Sequence, residues 1–141
     1  MALKLSLKPG ERFVVNGAVL QNGDRRAVLL LQNKASVLRE KDIIQPEDAT
    51  TPATRIYFPI MMMYLEPADA REYYDEFVRR LNEFMGAVRS PALLNECVSM
   101  SREVMAGEYY KALNRCRKLI SYEQDLLGNV GQSVPVSRNE D

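Results

Sequence analysis

Leu3, Leu5 and Leu7 alternate with Lys4, Ser6 and Lys8, the period-two pattern of a strand with one buried and one wet face. Pro9-Gly10 marks a turn, and Glu11 to Asn16 predicts a second strand ended by Asn16-Gly17, a favoured type I′ hairpin pair. Ala18 to Gln21 continues to a turn at Asn22-Gly23-Asp24. Arg25 to Gln32 (RRAVLLLQ) is apolar on both faces and is therefore expected to be a central strand. After Asn33-Lys34, Ala35 to Arg39 predicts the last strand, and Glu40 to Ile44 leads out. Strands at such short spacing predict a small antiparallel sheet or barrel.

From Pro46 the apolar period changes to that of helices. The polar stretch 46–51 (PEDATT) separates the two patterns, with Thr51 as an N-cap and Pro52 at the first helical position. The following ATRIYFPIMMMYLE is apolar nearly all round, which suits a helix buried between the sheet and later helices, with a kink or break expected at Pro59. Pro67 opens a second helix with Tyr74, Phe77, Leu81, Phe84 and Val88 on one stripe. Ser90-Pro91 opens a third, and Gly107 separates it from a fourth that Gly128 is expected to stop. Short connections favour antiparallel neighbours. The fold class is thus α+β. A β unit over residues 1–46 precedes a unit of about four antiparallel helices over 47–128 and a flexible tail over 129–141.

Charge refines this division. The chain of 141 residues has no net charge. Yet residues 1–46 hold eight basic and four acidic side chains, a balance of +4, while the remainder holds eleven basic and fifteen acidic, a balance of −4. The two units therefore suit different partners, or partly each other. Basic side chains on strand edges suit the phosphates and unpaired bases of RNA, and their alternative is a solvated sheet face.

Enzymatic chemistry has little to draw on. The chain has no histidine, the usual general base near neutral pH and a common metal ligand. Cys97 and Cys116 sit on apolar helix stripes, where core packing is the reading, and they suit a reducing cytoplasm without a disulfide. Glu72, Asp75, Glu76 and Glu83 read as a solvated helix face. Met61-Met62-Met63 reads as core beside a kinking proline, with an adaptable binding groove as the alternative. Tyr73-Tyr74 and Tyr109-Tyr110 each place one ring on the stripe and one near solvent, which reads either as an exposed partner surface or as rim packing. GERFVVNG lacks the setting and lysine of a phosphate loop. No membrane span, cofactor, metal or catalytic residue is expected, and the protein is expected to remain in the cytoplasm.

The segments LKPGERFVVNGAVL, LLLQNKASVLREKDI and TPATRIYFPIMMMYLEP resemble the flagellar biosynthesis repressor family FlbT, over Leu3 to about Leu127. That resemblance implies a post-transcriptional repressor that binds the 5′ untranslated leader of flagellin mRNA, lowers translation and promotes degradation of the message. It does not imply a nuclease. The β unit is also similar to the carbon storage regulator family CsrA, small β proteins that bind mRNA leaders as dimers of intertwined strands. Gly10-Glu11 and Val37-Leu38-Arg39-Glu40 carry this similarity, and Arg39 falls on that family's RNA-contacting arginine. Ser6 keeps a small hydroxyl and Lys8 a basic position, whereas Leu7 stands where that family has arginine.

Together these features nominate Lys4, Ser6, Lys8, Arg39 and Lys41 as RNA-binding residues, with Arg39 foremost because its planar fork holds a guanine edge or stacks on a base. A homo-oligomer with paired β units is compatible with the same resemblance. The competing expectation is a protein-binding regulator whose acidic helical unit grips flagellin, an export chaperone or another flagellar protein.

Overall fold

The structure, a computed structural model, describes residues 3–131, with side chains through Leu126. Five strands come first: β1 (Leu3–Leu7), β2 (Arg12–Val15), β3 (Ala18–Gln21), β4 (Ala27–Leu31) and β5 (Val37–Arg39). Two 3₁₀ turns, at Glu40–Asp42 and Pro46–Asp48, lead into α1 (Pro52–Leu65). A further turn at Pro67–Asp69 precedes α2 (Ala70–Ala87), followed by α3 (Pro91–Met105) and α4 (Tyr109–Gly131). The α+β class is as expected.

The strands form two antiparallel sheets. β1 pairs with β4, Leu5 opposite Leu29, and β3-β2-β5 form the other sheet. Asn16 (φ 50°) and Gly17 (φ 85°) are both left-handed, as a type I′ turn between β2 and β3 requires. A Cβ at Gly17 would sit 3.4 Å from the Leu65 carbonyl, so the turn also lies close against the end of α1.

The split between sheets arises at a corner where two turns bond to one another. Gly10 N donates to Gly23 O (2.8 Å), Asn22 N donates to Glu11 O (2.8 Å), and the Asn22 amide donates to the carbonyls of Lys8 (2.8 Å) and Arg25 (2.9 Å). The chain crosses between sheets twice at this corner, so β4 pairs with β1 alone. This corrects the expectation of a central β4. Leu5 and Leu7 are buried on the inner face of the ribbon, while Val28 and Leu30 on its outer face stay 55% and 58% exposed.

Thr51 caps α1 through a reciprocal box: its Oγ accepts from Thr54 N (3.3 Å), and its N–H donates to Thr54 Oγ (2.9 Å). Thr51→Ala should lower stability by about 1 kcal/mol in urea denaturation. An unchanged midpoint would mean that Glu123, which accepts from Ala53 N at 3.0 Å, suffices for this helix end. α1 then runs through Pro59 as one uninterrupted helix, so that of the expected kink or break the break is absent. Packing on both sides maintains it: Ile56, Tyr57, Pro59, Ile60, Met61 and Met63 are buried against α2 and α4.

The helices share one core, in which Phe77, Leu81 and Phe84 of α2, Cys97, Met100 and Val104 of α3, and Leu113, Cys116 and Leu119 of α4 join α1. Leu38 of β5 belongs to it, with Ile43 and Ile44 packed alongside, so the two units are joined by apolar contact and not only by a linker. Arg115 ties α4 to α3 by paired bonds to Glu103 (3.0 and 2.8 Å) and a third to Glu96 (2.7 Å). α4 continues through Gly128 to Gly131, so the expected stop is not observed. A lone glycine costs a helix about 1 kcal/mol, too little to end one by itself. The rest of the expected tail, 132–141, lies outside the described residues.

Candidate functional site

Arg39 stands at the end of β5, where the sheet meets the turn after β1. Its Nε and Nη2 donate to the two Glu11 carboxylate oxygens (3.0 and 2.9 Å), and Nη2 also donates to the Ser6 carbonyl. The fork thus ties β5 to β1, which share no ladder. Its side chain is one-third exposed. The Arg39 guanidinium, followed by the Lys8 backbone N–H, holds the Glu11 carboxyl below the ordinary range, and the same pairing raises Arg39 further.

Around this pair lies an open cleft of about 560 Å³ lined by Lys8, Pro9, Gly10, Glu11, Arg39, Glu40 and Lys41. Lys8, Arg39 and Lys41 of the nominated set therefore meet at one place. Lys4 and Ser6 do not line it. Strand alternation puts their side chains on the outer face of the ribbon, across from Leu30 and Val28, and only the backbone of Ser6 touches the site, through Arg39. Lys8 and Lys41 make no ion pair among the described residues.

A second, deeper groove of about 740 Å³ adjoins on the other side of Arg39 and Lys41, between the sheet and the helices. Tyr64 closes its wall by a double bond to one residue: its hydroxyl accepts from Val37 N (2.8 Å) and donates to Val37 O (2.9 Å). Burial raises the Tyr64 pKa, so the hydroxyl remains protonated for both bonds. Tyr110 packs at 5.4 Å from Tyr64, between ring centroids, and Arg117 lies 5.8 Å from the Tyr110 centroid. Tyr64, Tyr110, Arg117 and Lys34 are not among the residues nominated for RNA, and Tyr110 was expected only as part of a rim or partner surface. Tyr110 and Arg117 stand seven residues apart, two turns on one face of α4, and that spacing was the available signal.

The remaining candidates for chemistry are packed away. Cys97 and Cys116 are fully buried, and burial pushes the Cys97 thiol up to about 11 and Cys116 higher still, which leaves neither as a ready thiolate. Met61 and Met63 are core residues. Glu76 and Glu83 pair with arginines of their own helix. Among the described residues no cluster of acidic or sulfur ligands is arranged for a metal, and no helix is long and apolar enough to cross a membrane.

The family model described as "Flagellar protein FlbT" matches residues 3–127, which include both sheets and all of the cleft. The chain belongs to the FlbT family. It is 66% identical over 134 residues, 95% of each chain, to a protein of Caulobacter vibrioides named flagellum biosynthesis repressor protein FlbT. A Caulobacter sp. K31 protein named as probably the same is 67% identical over 92% of this chain and 99% of its own. A FlbT relative of Bradyrhizobium diazoefficiens retains 37% identity over 96% and 91%. No solved structure matches the chain.

Proposed function

We propose that this FlbT protein represses flagellin synthesis in the cytoplasm by binding the 5′ untranslated leader of flagellin mRNA, lowering its translation and promoting its degradation. The repressor names of its relatives support the coarse role. The observation that carries the RNA reading is the meeting of Lys8, Arg39 and Lys41 at an open cleft, from residues 31 and 33 positions apart in sequence. Two unpaired lysines attract phosphates, and the Arg39 guanidinium, its Nε and Nη2 held by Glu11 and Ser6, offers Nη1 and its planar face for a directional contact to a base. The protein acts as a binder: it occupies the leader, and a separate nuclease cleaves.

The test is titration of purified protein into labelled flagellin leader, beside a scrambled RNA of equal length, at 50 and 200 mM salt. Tight binding to the leader alone is expected, weakened by about sevenfold across that salt range for two phosphate contacts on a single strand. Equal, weak binding to both RNAs would remove the leader as the target.

One observation favours the second reading, a regulator that binds a flagellar protein: the uncovered apolar outer face of the β1–β4 ribbon. Co-purification with flagellin or its export chaperone that survives high salt, contains no RNA and is lost in Val28→Asp would support it.

A further inference from the structure

The groove between the sheet and α4 differs from the cleft at Arg39 in having both an aromatic wall and an apolar floor. Leu3, Leu5 and Leu38 form the floor, while Lys34 and Lys41 stand on the rim without ion-pair partners among the described residues. Tyr110 projects from the first turn of α4 and is 45% exposed. Arg117 beneath it is held by its neighbours and supports the ring. Nη2 forms an ion pair with an Asp42 carboxylate oxygen (3.3 Å), the Tyr57 hydroxyl lies against the same guanidinium, and Nη1 meets Asn114.

We propose that this groove holds one unpaired nucleotide of the bound RNA strand, its base against Tyr110 and its phosphates between Lys34 and Lys41. The inference rests on the RNA reading above and adds the helical unit to the site. The volume suits a ligand of this size, within the roughly 300–1,000 Å³ of small-ligand sites. The composition suits one too: an aromatic ring provides stacking that tolerates any base, and the lysines address the backbone on either side. Lys41 and Arg39 line both the groove and the cleft, so a strand lying across Arg39 enters the groove without leaving the positive surface. A duplex does not fit this geometry, because its bases are already stacked and paired. The two units are thereby given a reason to be fixed together: Tyr64 on Val37, Tyr57 on the Asp42 carbonyl (2.7 Å) and Arg117 beside Asp42 hold α1 and α4 against the segment that forms the other wall.

The experiment compares wild type, Tyr110→Ala, Tyr110→Phe and Lys34→Ala for binding to flagellin leader RNA, with AMP and GMP as competitors and urea denaturation as the check on folding. Tyr110→Ala is expected to weaken the leader by about tenfold and Tyr110→Phe by less than about twofold, because stacking needs the ring and not the hydroxyl. Lys34→Ala should reduce the salt slope by about 0.7, one phosphate's share on a single strand. Mononucleotides should compete only weakly, since they lack the cleft contacts. Full leader affinity in both Tyr110→Ala and Lys34→Ala, beside specific binding by wild type, would overturn the groove assignment and leave the RNA reading standing. AMP or GMP binding that depends on Tyr110, beside leader binding that does not, would make the groove a free-nucleotide site and overturn the strand inference. Absence of leader binding by wild type would overturn the RNA reading itself, and the groove with it.

Discussion

Arg39→Ala is expected to lower affinity for flagellin leader RNA by about ten- to a hundredfold, the largest functional loss of any single substitution at the cleft. Two effects combine. The directional donor disappears, and Glu11, which now pairs with Arg39 at 2.9 Å, becomes an uncompensated negative charge beside the RNA phosphates. Arg39→Lys should fall between wild type and alanine, because lysine retains the charge and loses the fork that grips both Glu11 oxygens. Glu11→Gln separates readout from scaffolding. If the guanidinium itself meets RNA, that variant binds at least as tightly as wild type, with one repulsive charge gone and Arg39 released. Weaker binding in Glu11→Gln would instead assign Arg39 to holding β5 against β1. The pairing is present at neutral pH. Since Glu11 is held below its ordinary value, its contribution exists above the unfolded carboxyl range and is lost only as pH falls through the depressed folded value.

Phe77→Ala is expected to cost about 3–5 kcal/mol of stability, read as a lower urea midpoint. Phe77 is the largest fully buried side chain, at the middle of α2, and packs beside Tyr74 with ring centroids 6.2 Å apart. Removing the ring leaves a cavity in the core that α1, α2, α3 and α4 share, and a domain of this size has only about 5–15 kcal/mol in total. Phe77→Leu should cost much less, because most of the volume remains. A midpoint shift under about 1 kcal/mol for the alanine variant would mean that α2 settles onto α1 and closes the space. Because Leu38 of β5 lies in the same core, strong loss of stability should also loosen the groove wall.

Local signals were legible where one residue imposes a local geometry. Asn16-Gly17 adopts the two positive φ values that its dipeptide predicts, and Thr51-Pro52 caps and starts α1. The stripe of Tyr74, Phe77, Leu81 and Phe84 likewise shows which face of α2 turns inward. Pro59 did not break α1, and Gly128 did not stop α4, because each carries a local penalty that other terms exceed: burial of α1 on two sides outweighs one missing backbone bond, and one glycine does not end a long helix.

The candidate site was legible only in part. Lys8, Arg39 and Lys41 could be nominated from residue type and resemblance, but alternation along β1 turns Lys4 and the Ser6 side chain away from them. The Glu11–Arg39 pair, 28 residues apart, has no local pattern to announce it. Tyr110 and Arg117 share a face of α4, yet their relation to Lys34 and Lys41 depends on how α4 packs on α1 and how Tyr64 holds Val37.

Pattern along the chain was thus sufficient for the order of strands and helices, the caps, the apolar faces, the unequal charge of the two units and the lack of histidine chemistry. These are properties of neighbours within a few residues, where spacing alone sets which side chains share a face. The division into two sheets, the exposure of β4, the Arg39 fork on Glu11 and the groove that joins sheet to helix belong to the folded molecule. They depend on contacts between distant segments, and those become definite only when turns bond to turns and the helices close on Leu38.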